Sequence, residues 1–171
     1  MLDVEIGLRS KPGAGSTFWV ALPATTAVPA QAEISVLQPM GSMAGLVVIC
    51  IDNEPAVLDG MRTLLAGWDC VVVTAADGRS AIANARVGGA MPDVILADYQ
   101  LDEETGLDAI AQVRSAFGGN PAGVIITANH SPDVQKEVRM RDLTLMRKPL
   151  KAATLRAFMM QIYLRRQAAA E

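Results

Sequence analysis

The hydrophobic pattern of the chain changes character once. Over residues 2–9 apolar and polar positions alternate, with Leu2, Val4, Ile6 and Leu8 sharing a face, and the same period returns in Phe18, Val20 and Leu22. A period of two predicts strands. The turn-rich Ser-Lys-Pro-Gly-Ala-Gly-Ser stretch between them makes residues 2–22 a β-hairpin with a long loop, in which Gly13 and Gly15 serve turn geometry rather than a phosphate cradle. Residues 24–44 are rich in Ala, Pro, Thr, Ser and Gln without sustained periodicity, the composition of a linker. From residue 45 onward, short continuous apolar runs alternate with runs at helical spacing.

The apolar runs are 46–51, 70–74, 94–97, 124–127 and 143–146, each the length of a strand with both faces covered. Between them stand helical patterns. Asp52 and Asn53 act as caps ahead of Pro55 and the series Val57, Leu58, Met61, Leu64, Leu65, which Gly67 ends. Residues 77–87, 106–117, 132–141 and 152–165 follow, the last carrying Leu155, Phe158, Met159 and Ile162. Five βα units with short connections predict an α/β fold, a doubly wound five-stranded parallel sheet of order 2-1-3-4-5, with the N-terminal β-hairpin as an appendage.

Composition narrows the class. The 171 residues are 51% hydrophobic but only 4% aromatic, so the core is built from aliphatic side chains and Met, as in α/β packing. A net charge of -3 gives no electrostatic reason to expect nucleic acid or an anionic membrane as partner. No apolar run approaches the about 18 residues of a membrane span, and no signal-peptide pattern opens the chain, so a cytoplasmic location is expected. Cys50 and Cys70 lie inside strand-like runs and read as buried thiols. With His130 the only histidine, a histidine-rich metal site is excluded.

The chemistry collects at strand ends. Asp98 closes the apolar run Val94–Ala97, Asp52 and Asn53 follow the first strand of the alternating region, Thr127 ends the fourth, and Lys148-Pro149 follows the fifth. In open α/β sheets ligands bind beyond the carboxyl ends of the strands, and the predicted order makes the strands ending at Asp52 and Asp98 neighbours. Two adjacent carboxylates repel unless a cation is shared, and a hard divalent ion such as Mg2+ suits oxygen ligands.

In the order and spacing of these residues the stretch 45–171 resembles the receiver domain of two-component phosphorelays, whose fold is flavodoxin-like. The resemblance implies that Asp98 accepts a phosphoryl group from the phosphohistidine of a histidine kinase or phosphotransfer protein. It implies that Asp52, Asn53, Asp98 and the backbone carbonyl of Gln100 hold Mg2+, that Lys148 and Thr127 bind the phosphoryl oxygens, and that the side chains of Gln100 and Asn129 flank the group. It also implies a cis peptide before Pro149 and a docking or homodimer surface on the fourth helix, fifth strand and fifth helix. There Met160 and Tyr163 are candidates that the amphipathic pattern assigns first to the core. Residues 1–23 resemble the closing hairpin of a histidine-kinase ATPase domain, whose other boxes are absent here. The pair of resemblances implies the end of a hybrid histidine kinase, in a fragment without kinase activity of its own.

Two positions depart from the family pattern. Asn53 stands where a second acid is usual, which removes a negative charge from the metal shell. Leu145 stands where many receivers carry a switching aromatic. The alternative reading is therefore a degenerate receiver acting as a phosphorylation-independent interaction module. An aspartate-nucleophile phosphatase is disfavoured because Gln100 occupies the position of its second acid.

Overall fold

The computed structural model describes residues 5–13, 15–21, 42–89, 91–129 and 131–169. Leu2, Val4, Leu22 and His130, and all of the expected linker except residues 42–44, lie outside the described residues. The chain divides into two compact units, Met1–Met40 and Gly41–Glu171.

The first unit contains β1 (Glu5–Lys11) and β2 (Gly15–Ala21), paired antiparallel. Lys11 pairs with Gly15, so three residues connect the strands where a long loop was expected. Pairing extends into the turn-rich stretch, where the Ser10 and Ser16 hydroxyls meet across the ladder at 2.7 Å. Opposite pairs Ile6–Val20 and Leu8–Phe18 put four apolar side chains on one exposed face. On the other face Trp19 lies opposite Gly7, and its ring occupies the space a Cβ at Gly7 would fill, 2.0 Å from Trp19 Cζ2.

The second unit runs β3 (Val47–Ile51), α1 (Pro55–Ala66), β4 (Val71–Ala75), α2 (Gly78–Val87), β5 (Val94–Asp98), α3 (Gly106–Phe117), β6 (Ala122–Thr127), α4 (Pro132–Met140), β7 (Thr144–Arg147) and α5 (Ala152–Ala168). Five parallel strands stand in the order β4-β3-β5-β6-β7, which is the predicted 2-1-3-4-5. Side chains alternate across the sheet, so each strand feeds two cores. Ile49, Ile51, Ile95, Ala97 and Ile125 pack with Ala81, Leu107, Ile110 and Val138 of α2, α3 and α4. Val48, Cys50, Val94, Leu96 and Val124 pack with Leu65 of α1 and Leu155 and Met159 of α5.

Met43, within the stretch read as linker, is fully buried in the second core, and its N–H donates to the Trp68 carbonyl at 3.0 Å. An isolated Met among Pro, Gly and Ser carries no periodic signal, which is why the pattern did not mark it. Met160 and Tyr163 pack partly buried against the same core, as the amphipathic pattern predicted. The buried Arg156 sets its guanidinium 5.2 Å from the centre of the Trp68 ring, tying α5 to the loop after α1. Burial pushes the Cys50 thiol up to about 12, so it stays protonated as a small hydrophobe.

Candidate phosphoacceptor site

The register of the parallel ladder builds the site. Ile51 pairs with Ala97, and Asp98 with Ile126, so β3, β5 and β6 end level with one another. Asp98 is the last residue of β5, and its side chain is 12% exposed. Asp52 follows β3, is 6% exposed, and receives the backbone N–H of Glu54 on Oδ1 at 2.9 Å. Lys148 follows β7, where its N–H donates to the Thr127 carbonyl at 3.0 Å. From there its Nζ lies 3.1 Å from Asp98 Oδ2 and 3.6 Å from Asp52 Oδ2. The Lys148-Pro149 peptide is cis.

One ammonium thus serves two nearly buried carboxylates. Burial alone would lower the Lys148 pKa, but the hydrogen bond and charge of Asp98, with Asp52 behind them, outweigh it and raise the pKa above its ordinary value. The lysine stays charged between its two carboxylate partners.

Thr127 is buried at the end of β6, and its hydroxyl oxygen accepts the Asn129 N–H at 3.0 Å, which leaves its own proton to donate. Asn129 turns its side-chain oxygen to the Ser131 N–H at 3.0 Å, supporting the start of α4. Gln100 is exposed and bridges to Thr105, but the bridge bond joins Gly106 N–H to the Tyr99 carbonyl. No described donor takes the Gln100 carbonyl. Leu145 is partly buried against the core shared with α2, α3 and α4. The predicted capping by Asp52 and Asn53 is corrected: Glu54 is the N-cap of α1 and makes no side-chain cap bond. Asp52 is instead committed to Glu54 N–H and Lys148, and Asn53 Nδ2 donates to Asp102 Oδ1 at 2.5 Å.

Three residues at or just before the start of α3 had roles that escaped the sequence reading. Gly106 lies flat on the end of β5: a Cβ there would stand 2.0 Å from the Asp98 carbonyl oxygen. Glu104 accepts the Gly78 N–H at the start of α2 at 2.7 Å and also the side-chain amide of Gln112. Asp102 reaches Asn53. Their signal was an acidic run, Asp102-Glu103-Glu104, just before a glycine that opens a helix. It has the composition of a solvated loop, and nothing local distinguishes the two uses.

A recess of about 350 Å³ opens beside the site, lined by Val57, Leu58 and Met61 of α1 and by Pro149 and Leu150, with Asp52, Asp98 and Lys148 on its wall. Among the described residues no three His, Cys, Asp or Glu side chains converge on a metal position. The edge holds the carboxylates of Asp52 and Asp98, with Asn53 next to Asp52 and Gln100 two residues past Asp98 in the chain. An oxygen set with few carboxylates suits Mg2+, which keeps several waters.

A doubly wound sheet with an acidic pair and a lysine gathered at its carboxyl edge is the arrangement of a phosphorelay receiver. The family model for the response regulator receiver domain matches residues 48–159, and the chain belongs to that family. The probable transcriptional regulatory protein TcrX of Mycobacterium tuberculosis is 37% identical over 83 residues, 47% of this chain and 33% of that protein. The chain therefore spans about a third of the length of this curated relative. Chemotaxis protein CheY4 of Vibrio cholerae is similar in structure, with a TM-score of 0.61 at 27% identity, covering 70% of this chain and 99% of that one. A receiver domain protein of Clostridium thermocellum superposes with a TM-score of 0.64, over 72% of this chain and 98% of its own; at 19% identity that likeness shows the fold alone. Among the described residues no helix is long and apolar enough to cross a membrane.

Proposed function

We propose that the chain accepts a phosphoryl group on Asp98 from the phosphohistidine of a histidine kinase or phosphotransfer protein, and switches conformation to regulate its kinase or a downstream partner. The observation that carries this reading is the single Lys148 ammonium held between Asp98 and Asp52 at the sheet edge. In the transfer the donor's P–N bond breaks and a P–O bond forms to the Asp98 carboxylate, giving an acyl phosphate and leaving the imidazole. Such transfers depend on positioning and charge neutralisation. Asp52, Asn53, Asp98 and the Gln100 carbonyl would hold Mg2+, which supplies positive charge to the phosphoryl oxygens. Lys148 pairs with the transferred group, and the Thr127 hydroxyl donates to it, drawing the β6–α4 loop inward.

Residues 45–171 form the receiver in this reading, 24–44 the linker, and 1–23 the last hairpin of a histidine-kinase ATPase domain. The alternating faces of β1 and β2 and their tight glycine turn support that hybrid-kinase context. The reading is tested by exposing the folded protein to Mg2+ with acetyl phosphate or beryllofluoride. Modification confined to Asp98 is expected. No adduct under either reagent overturns it in favour of a phosphorylation-independent module, which Asn53 in place of an acid would favour.

A further inference from the structure

Asn53 and Asp102 are 49 residues apart in sequence and joined by a 2.5 Å hydrogen bond from Nδ2 to Oδ1. An amide side chain has a donor prong and an acceptor prong, and the two exchange places by a half turn about χ2. An ionised carboxylate only accepts. Asp102 therefore selects one of the two amide orientations, with Nδ2 toward itself and the carbonyl oxygen Oδ1 away from it. A metal can use only the oxygen.

Asp102 is itself held in place. The Gln100–Thr105 bridge ties the ends of its loop together, Glu104 anchors the loop to the Gly78 N–H, and Gly106 seats it against the Asp98 carbonyl. A side chain that is exposed to solvent is thus presented from a fixed backbone. It also returns a negative charge to the neighbourhood where the amide of Asn53 lacks one.

We propose that Asp102 is a positioning residue for the cation site: it locks the Asn53 amide with its oxygen available to Mg2+, so that Asn53 and Asp102 together replace a single carboxylate ligand. This rests on the reading of the strand edge as a Mg2+-dependent phosphoacceptor site. Groups that orient metal ligands through hydrogen bonds typically change affinity by about ten-fold or more when removed.

The test is a set of calorimetric Mg2+ titrations of the unphosphorylated full chain, with the Asn53 side-chain amide resonance followed by NMR. Asp102→Ala is expected to weaken Mg2+ binding about ten-fold, and to abolish the Mg2+-dependent shift of the Asn53 amide. In an Asn53→Asp background, which has no amide to orient, the same substitution is expected to lose most of its effect. Equal weakening in both backgrounds would mean that Asp102 acts only through its charge, and an unchanged Mg2+ affinity would mean that it does not act on the site. Either result overturns the proposal while leaving the phosphoacceptor reading intact. Absence of Mg2+ binding by the wild-type chain removes the metal reading itself, and this inference with it. Asp102 is exposed, so the variants are expected to keep the wild-type urea midpoint, which identifies any that fail to fold.

Discussion

Two short strands behave oppositely. Every residue of β3 (VVICI) is buried, whereas every residue of β2 (GSTFWVA) is exposed. Both are rich in residues that favour strands, so local propensity does not separate them. What separates them is cover. β3 has a parallel neighbour on each side and helices on both faces, while the hairpin's apolar face of Ile6, Leu8, Phe18 and Val20 stays open among the described residues. The alternating sequence of the hairpin suits one covered face, and the continuous apolar run of β3 suits two. Among the described residues, the covered strands β3, β5 and β6 lead into Asp52, Asp98 and Thr127.

The contrast can be broken in several ways, and the largest effect concerns chemistry. Asp98→Ala is expected to remove all modification by acetyl phosphate in the presence of Mg2+, read by intact mass. Phe18→Ala in the hairpin should leave that modification at the wild-type level. Next comes packing. Leu155→Ala empties a fully buried position between α5 and the sheet and should cost about 2–5 kcal/mol by urea denaturation. Phe18→Ala, at 75% exposure, should change stability by no more than about 0.5 kcal/mol. A large loss at Phe18 would show that the open face has a partner.

Gly106→Ala should be intermediate, about 1–3 kcal/mol, since the new methyl meets the backbone of Asp98. It should also slow phosphorylation, because relief of the clash moves the nucleophile's strand end. A control in the hairpin is Gly7→Ala, whose methyl would meet the Trp19 side chain rather than backbone first.

The smallest effect is a cap. Asp77 accepts the Ser80 N–H at 2.7 Å at the start of α2, and the Ser80 hydroxyl meets the Asp77 N–H in return. Asp77→Ala should cost about 1 kcal/mol near neutral pH. The Ser80 backbone hydrogen bond leads the causes that hold the Asp77 carboxyl below its ordinary range. Its folded pKa is thus depressed, so its stabilisation is present above the unfolded value of about 4 and fades as pH falls through the folded value. Urea midpoints of wild type and variant should therefore converge in acid.

Legibility in the sequence followed the length scale of each feature. Asp98, Asp52, Thr127 and Lys148 were readable because a continuous apolar run fixes where a strand ends, and the strand count fixes which ends are neighbours. That placement put Lys148 at the same edge, but its contacts with Asp98 and Asp52 came only with the structure. Met43 and Gly106 were not readable as packing residues, since each is a single position whose role is defined by what lies above it. The cap of α1 was misassigned to Asp52 and Asn53 because residues that cap helices also bind charges, and the competing use won: Asp52 is taken by Lys148 and Asn53 by Asp102.

The alternation of apolar runs by itself determined the five strands and the polar residues at their carboxyl ends, because burial on two faces leaves a one-dimensional mark; the order was the commonest arrangement for five βα units. The tertiary structure alone decided which atoms of that set meet. The 2.5 Å hydrogen bond between Asn53 and Asp102, and the ion pairs of Lys148 with Asp98 at 3.1 Å and Asp52 at 3.6 Å, depend on how loops from separate strands close beside one another. No run of neighbouring residues records that closure, since it is set by the register of β3 against β5 and by Gly106 beneath Asp98.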